Sequence, residues 1–392
     1  RLMVSEPGGY HWKPLVRGLP RAPEDGKSLA RIGIAASDPT RMYLTSRDGG
    51  MFRSDDGGQS WHQAATGLTN PDLFPVAVSP KDPDLVLAGG TITGFFRSAD
   101  GGAHWSTVPG VLRVPAMTFV PGTARALVGD NSGKIRASDD GGVTWRVVSN
   151  GLGASASAIA ASAGATPTVF TGDSQGRIQR SDDGGSTFTA VGRGLPKDLV
   201  ASIALSPQYA TDHTAWASMS QTGVYRTRDG GTTWTKTSRG LTGDHQAHVV
   251  KTTEYRSIAA SASASGTVLY EAGFDGLFRS TDEGRTWTQS QTLVDFVTGL
   301  DVSPDYARDH TVAAAAYVKG PWLSTNRGDT WRPVDRGLQQ EIGAGNKYAA
   351  IRRLHNITFS PDYATDRTIF SAGWTAFLKT TDAGGHWTPI QV

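Results

Sequence analysis

The chain has 392 residues, a formal net charge of +2 and no cysteine. The missing cysteine excludes disulfides, thiolate metal ligands and a cysteine nucleophile, and the near-neutral charge gives no general attraction to nucleic acid or to an anionic membrane. No stretch approaches the ~18 apolar residues that would suggest a membrane span. With 48 Gly and 20 Pro and no long run of strong helix formers, the composition predicts an all-β protein.

One eight-residue phrase, Ser/Thr-x-Asp-x-Gly-x-x-Trp, recurs along the whole chain. Its third position is occupied, in chain order, by Asp56, Asp100, Asp140, Asp183, Asp229, Asp282, Asn326 and Asp382. It closes on Trp61, Trp105, Trp145, Phe188, Trp234, Trp287, Trp331 and Trp387. A worn ninth copy runs from Ser5 to Trp12. The mean spacing of about 47 residues is typical of β-propellers, in which each repeat is one four-stranded blade.

The segment between Phe188 and Trp234, the fifth gap between closing aromatics when Trp12 is counted as the first, illustrates the elements predicted within a repeat. Residues 199–206 form an apolar first strand, 207–212 a turn, 214–218 a second strand and 224–227 a third strand. The repeated phrase then makes a tight hairpin into an outer strand that begins at Trp234. The first strands are small, apolar and nearly unalternating, which indicates strands covered on both faces.

The chemistry of the phrase indicates a structural hairpin. Asp accepts hydrogen bonds from successive backbone N–H groups, Ser or Thr does the same from the other side, and Gly adopts a backbone conformation that a side chain forbids. Trp packs between neighbouring blades and keeps its N–H for a polar partner. We therefore predict structural roles for the eight residues at the third position, and no metal site among them.

On these residues the chain resembles the Asp-box, or BNR-repeat, propellers, which include sialidases, xyloglucanases, sortilin-type ectodomains and Ycf48-like assembly factors. The resemblance implies an all-β fold in which residues 1–392 form a single propeller. Eight blades are expected, with seven as the alternative, and residues 1–16 are expected to add an outer-edge strand involved in ring closure. The same scaffold carries both hydrolases and binding proteins, so the resemblance alone does not imply one activity.

In such a fold the loops that precede each first strand, and the turns between second and third strands, gather at the channel mouth. The polar residues expected there include Arg31, Asp72, Arg113, Asp198 and His355. The segment Leu112–Ala116 is similar to the arginine element with which sialidases hold a substrate carboxylate. Arg256 and Arg352 would complete a clamp of three arginines around Arg113, and Tyr255 beside Glu254 would supply an activated nucleophile.

A second enzymatic alternative is a xyloglucanase-like hydrolase. The segment Asp295–Leu300 resembles the opening of a first strand in xyloglucanase blades, so Asp295 would be one catalytic carboxylate, with Asp72, Asp198 or Glu254 as its partner. Phe274 and Trp374 are candidate aromatic contacts for a sugar or protein ligand. Asp244, His245 and His248 lie in a long loop and could bind a metal, but a solvated polar loop is the preferred interpretation.

These observations favour a glycan- or protein-binding, or assembly, module that acts through the channel-mouth face, with a glycoside hydrolase as the alternative. Binding would involve Arg113, Tyr255, Arg256, Arg352, His355, Phe274 and Trp374, and hydrolysis would use Asp295, Glu254 and Asp198. We expect a monomer without cofactor, bound metal or nucleic-acid partner. The chain begins at Arg1, which suggests processing, and the resemblance implies a secreted, periplasmic or cell-surface location.

Overall fold

The computed structural model describes residues 3–5, 12–14, 28–47, 49–57, 60–90, 94–111, 113–151, 153–164, 166–241, 257–263, 266–273, 276–290, 297–316, 320–336, 354–373 and 376–391. Two compact units are present. One comprises residues 1–109, 301–305 and 309–392, and the other residues 110–300 and 306–308. We call them the terminal unit and the central unit.

Eight four-stranded antiparallel sheets, or blades, follow one another, and in each the strands are arranged in chain order. Blades 1, 2 and 8 lie in the terminal unit: β3 (Ser28–Ala35), β4 (Asp38–Arg47), β5 (Gly50–Ser54) and β6 (His62–Gln63); β7 (Leu73–Val78), β8 (Val86–Gly90), β9 (Phe95–Ser98) and β10 (Ser106–Thr107); β31 (Leu354–Phe359), β32 (Ile369–Gly373), β33 (Ala376–Thr380) and β34 (Thr388–Gln391).

Blades 3 to 6 lie in the central unit: β11 (Ala116–Phe119), β12 (Ala126–Gly129), β13 (Ile135–Ser138) and β14 (Arg146–Ser149); β15 (Ala156–Ala161), β16 (Val169–Asp173), β17 (Ile178–Ser181) and β18 (Thr189–Val191); β19 (Val200–Leu205), β20 (Ala215–Met219), β21 (Gly223–Thr227) and β22 (Thr235–Lys236); β23 (Ser257–Ser263), β24 (Gly266–Gly273), β25 (Gly276–Ser280) and β26 (Thr288–Gln289). Blade 7 consists of β27 (Val297–Val302), β28 (Val312–Ala316), β29 (Gly320–Ser324) and β30 (Arg332–Pro333).

The fold is therefore the predicted eight-bladed β-propeller, and eight blades rather than seven is confirmed. The strands of the fifth gap lie within about one residue of their predicted positions. The first strands, predicted to be covered on both faces, are only partly buried, as in β7, β15 and β19. The second strands are the ones buried at every residue, as in β8, β16 and β20. Fourth strands such as β6 and β22 are two exposed residues long, and they form the edges of their sheets.

The segment 207–212, predicted as a turn, contains a single helical turn, α1 (Tyr209–Asp212), and single helical turns also occur at α2 (Tyr306–Asp309) and α3 (Tyr363–Asp366). In α1 and α3 the same contact holds this turn in place. The Ser206 hydroxyl donates to Asp212 Oδ2 over 2.6 Å, and the Ser360 hydroxyl donates to Asp366 Oδ2 over 2.6 Å. Each helix also buries its tyrosine, so these turns pack as part of the scaffold.

The worn ninth repeat forms a separate hairpin. Strands β1 (Met3–Ser5) and β2 (Trp12–Pro14) pair antiparallel, with Ser5 opposite Trp12, and β1 lies beside β34. The outer strand of blade 8 is β34 itself, from the C-terminal end of the chain. A role of residues 1–16 in ring closure, and the treatment of residues 1–392 as a single domain, stay predictions.

Candidate functional site

The Asp-box hairpins hold their own carboxylates. In blade 3, Asp140 Oδ1 accepts hydrogen bonds from the Ser138 hydroxyl (2.7 Å) and the Thr144 backbone N–H (2.9 Å), while Oδ2 accepts one from the Thr144 hydroxyl (2.5 Å). Burial raises the pKa of Asp140, but these hydrogen bonds to the ionised form outweigh burial and bring the pKa down to about 2. A carboxylate saturated in this way is suited to holding a turn.

A second contact joins these hairpins to their neighbours. A basic side chain of one blade donates to the backbone carbonyl that follows the Asp of the next blade's box. In the central unit these bonds run from Arg125 to Gly184 (3.0 Å), Arg180 to Gly230 (2.6 Å) and Arg226 to Glu283 (3.0 Å). In the terminal unit they run from Arg53 to Gly101 (2.7 Å) and from Lys379 to Gly57. The Asp-box end of the blades is therefore occupied by scaffold contacts.

At the opposite end of the blades, several first strands carry a β-bulge, in which two residues face one residue of the second strand. In the terminal unit the bulge pairs are Ala30-Arg31, Phe74-Pro75 and His355-Asn356. In the central unit they are Ser157-Ala158 and Ala201-Ser202. Bulges re-aim side chains and are common beside functional sites. Each bulge of the terminal unit includes one large or ionisable residue type, Arg31, Phe74 or His355, whereas both bulges of the central unit consist of Ser and Ala.

Two of these bulge residues, Arg31 and Phe74, are in direct side-chain contact. The Arg31 guanidinium carbon lies 4.4 Å from the centroid of the Phe74 ring, which is the geometry of a cation–π contact between blades 1 and 2. Thr45, fully buried on β4, accepts a hydrogen bond from the Arg31 backbone N–H (3.0 Å) and donates to the Phe74 carbonyl (2.9 Å). The two first strands are thereby held in register, and both side chains stay half-buried.

Asp198, predicted as a catalytic carboxylate, is engaged in its own blade. Its Oδ2 accepts hydrogen bonds from the backbone N–H groups of Gln221 (2.8 Å) and Thr222 (2.9 Å) and from the Thr222 hydroxyl (2.9 Å). Its Oδ1 accepts one from the Leu199 N–H (2.7 Å). This carboxylate anchors the turn between β20 and β21, an arrangement that favours a structural role over proton transfer.

Of the residues predicted to bind a ligand, the structure describes only Arg113 and His355. Arg113 is exposed in the segment before β11, and His355 is placed by its backbone on β31. Asp295, Glu254, Tyr255, Arg256, Arg352, Phe274 and Trp374 lie outside the described residues, as do Asp244, His245 and His248. Among the residues that the structure does describe, no group of three or more His, Asp or Glu side chains could hold a metal ion.

The residue that sequence reasoning missed is Phe74. A signal was available, because the corresponding bulge residues Ser157 and Ala201 are small. A bulky aromatic in a first strand therefore stands out from the repeat. The bridging role of the basic residue that precedes the box Ser or Thr was missed as well, although Arg53, Arg180, Arg226 and Lys379 share that position.

The sheets, the hairpins and the repeat together define the class of protein: this chain is a β-propeller built of Asp-box repeats. A family model described as BNR/Asp-box repeat matches residues 52–63, which run from the third residue of β5 to the end of β6 in blade 1. A search of curated protein sequences gives no match to the chain.

Solved structures share the fold at low sequence identity. An ancestral GH74 enzyme is 16% identical with a TM-score of 0.62, and the match covers 94% of this chain and 47% of the enzyme. The chain thus spans about half the length of that enzyme. Ycf48 from Cyanidioschyzon merolae is 17% identical with a TM-score of 0.52, over 93% and 97% of the two chains. The computationally designed Ika8 protein is 10% identical with a TM-score of 0.63, over 96% and 99%.

Proposed function

We propose that this propeller is a binding module, and that it contacts its partner through the first-strand bulges of blades 8, 1 and 2. The observation that carries the proposal is the Arg31–Phe74 pair, built across two blades and tied together by Thr45. An arginine held against an aromatic ring keeps its charge and loses little freedom on binding, which favours affinity.

The side chains of Arg31 and Phe74 have the chemistry of a ligand-binding site and not of a catalytic one. A guanidinium stays protonated at physiological pH and presents a planar fork that matches carboxylates, and a phenyl ring offers a flat apolar surface and does not titrate. Neither group serves as a general acid or base near neutrality. The partner we infer is a protein or glycan that carries carboxylate groups.

A protein partner is the first candidate. A structure of Ycf48 bound to D1 peptide has a TM-score of 0.52 to this chain at 16% identity, so a propeller of this fold can hold a peptide. In the described part of the chain the only helices are single turns, and none could span a membrane. We propose a secreted, periplasmic or cell-surface location, in line with the Asp-box resemblance.

The alternative is a glycoside hydrolase, supported by the fold shared with the ancestral GH74 enzyme. Hydrolysis would need two carboxyl groups about 5–9 Å apart beside the bound sugar. With Asp198 committed to a turn, Asp295 and Glu254 are the pair that this alternative uses. If the protein is a hydrolase, it releases reducing sugar from a polysaccharide. Asp295→Asn should abolish that release and leave the Tm unchanged.

The binding proposal is tested with two carboxylate-bearing probes, a poly-glutamate peptide and a polygalacturonate oligomer, and with uncharged xyloglucan. We expect one of the carboxylated probes to bind, and Arg31→Gln and Phe74→Leu each to weaken its binding, Arg31→Gln by about tenfold or more. Arg193→Gln changes an exposed arginine on the segment after β18; it is the matched control and should bind as the wild type does.

The probes also separate the partner classes. Poly-glutamate binding supports a protein partner, and polygalacturonate binding alone supports an acidic glycan. If neither binds, or if Arg31→Gln binds as tightly as Arg193→Gln, the first-strand bulges are not the binding site. Turnover of xyloglucan would instead establish the hydrolase alternative.

A further inference from the structure

Lys379 forms a hydrogen bond between blade 8 and blade 1. Lys379 on β33 of blade 8 donates a hydrogen bond from Nζ to the Gly57 carbonyl in the box of blade 1, across 322 residues of sequence. The same Nζ lies 5.5 Å from the centroid of the Phe370 ring. Phe370 in turn packs with Met42, Phe52 and Trp61 of blade 1. Lys379 therefore sits at the apolar junction between the last and first blades of the terminal unit.

Lys379 differs chemically from the residues that make the same bridge elsewhere. The corresponding residues immediately before the box Ser or Thr are Arg53, Arg180 and Arg226. Arginine keeps its proton in proteins, whereas lysine loses its proton readily when buried. Among the bridges that the structure describes, the one between blades 8 and 1 is made by a lysine, and its charge can change.

The charged groups that face the amine are Asp56, in the box of blade 1, and Asp366, at the end of α3. Both are already held, Asp56 by Ser60 (2.6 Å) and Asp366 by Ser360 (2.6 Å). Burial at the junction lowers the pKa of Lys379 to about 8, because the attraction of the two carboxylates offsets only part of the cost of removing the ammonium group from water.

We propose that Lys379 is a proton-dependent latch, in which closure of the junction between blades 8 and 1 is coupled to loss of a proton from its amine. This inference is independent of the partner that the propeller binds. When the junction opens, the amine returns to water and to a pKa of about 10.4. The open state therefore binds more protons than the closed state between about pH 8 and pH 10.4, so closure is strengthened as pH rises through that window.

The absence of cysteine from the chain provides a direct test. Ala372→Cys places a thiol among the fully buried residues of this junction, where it reacts with a thiol reagent only when the junction opens. Val224→Cys, equally buried beside Trp216 in the central unit, is the matched control. Labelling rates are divided by those of a model thiol at each pH, and the Ala372→Cys measurement is repeated in Lys379→Arg and Lys379→Met backgrounds.

We expect the opening ratio measured in Ala372→Cys to fall about tenfold or more between pH 7 and pH 9.5, with no such fall in Val224→Cys. The fall should disappear in the Lys379→Met background, where the side chain is never charged, and in the Lys379→Arg background, where it is always charged. A constant or rising opening ratio in Ala372→Cys with Lys379 intact overturns the proposal, as does a fall that persists with Lys379→Met. If the lysine variants do not fold, competitive acetylation of the intact protein decides: an amine pKa near 8 supports the latch, and one of about 10 or above, the value of a lysine in water, overturns it.

Discussion

At the residue scale, the chain shows how much of an Asp-box depends on charge. Blade 7 has Asn326 where the other boxes have Asp. The amide reproduces much of the geometry: Oδ1 accepts from the Thr330 N–H (3.0 Å) and Nδ2 donates to the Thr330 hydroxyl (2.8 Å). The hydrogen bonds are kept, and the negative charge is what Asn326 lacks. The charge should therefore contribute stability that depends on pH.

The substitutions Asp140→Asn and Asn326→Asp test how much the charge of the box Asp contributes to stability. Because the pKa of Asp140 is lowered to about 2 in the folded protein, its contribution is full above the unfolded-state pKa of about 3.9 and is lost as pH falls toward 2. We expect Asp140→Asn to be less stable than the wild type by about 1 kcal/mol at pH 7, after allowance for the solvent exposure of this carboxylate, and by only about a third of that at pH 2.5. Urea unfolding at the two pH values measures the difference. Asn326→Asp should show the opposite sign, and a loss in Asp140→Asn that is the same at both pH values would show that charge is not the cause.

At the element scale, the five bridged hairpins described above are each bound by the blade before them. The carbonyl that accepts the bridging cation belongs to a residue with positive φ, such as Gly230 at 68° or Glu283 at 60°, so the hairpin turns this carbonyl toward the neighbouring blade. The bridge therefore depends on the local turn and on the packing of two blades together.

Removal of one bridge measures its contribution. Arg180→Met keeps the apolar stem but loses the bond to Gly230 (2.6 Å) and the bonds to Asp182. A hydrogen bond from a charged group contributes about 1.5–3 kcal/mol, so we expect a loss of about 1–2 kcal/mol in the free energy of unfolding. Arg193→Met, on the exposed segment after β18, serves as the control and should change stability by less than about 0.5 kcal/mol. Equal effects of the two substitutions would deny the bridge a role in stability.

At the scale of the whole molecule, one packing contact is repeated between blades. The second residue of a second strand packs against the closing aromatic of the next blade. Phe170 meets Trp234 edge-on, with ring centroids 6.3 Å apart, and Phe370 clusters with Trp61. The contact between the last and first blades is thus of the same kind as a contact inside the central unit, although its residues are far apart in sequence.

Truncation of both phenylalanines compares the two junctions. Phe170 and Phe370 are fully buried, and loss of a buried phenyl group costs about 3–5 kcal/mol. We expect Phe370→Ala and Phe170→Ala to lower the Tm by similar amounts, because each leaves a cavity against the next blade. Differential scanning calorimetry measures both. A small effect of Phe370→Ala beside a large effect of Phe170→Ala would show that the molecule is stable without the junction between blades 8 and 1.

Much of the fold could be predicted because its determinants are local. The spacing of the boxes indicates the number of blades, and Ser138, Asp140 and Thr144 make their hairpin contacts within a few residues of one another. The candidate site could be predicted only in part. Arg31 stood out as a polar residue beside a first strand, but Phe74 belongs to the next repeat along the chain, and the bulges that bring the two together are a property of strand pairing.

The sequence by itself therefore determined the repeat, the turn chemistry and the class of fold, since each depends on groups a few residues apart. The tertiary structure decided which ionisable residues are engaged in the scaffold. Asp198 and Lys379 both have the chemistry of site residues, yet one anchors the turn at Gln221 and Thr222 and the other bonds to Gly57. Such roles follow from burial and from partners 23 to 322 residues distant, which spacing along a chain does not encode.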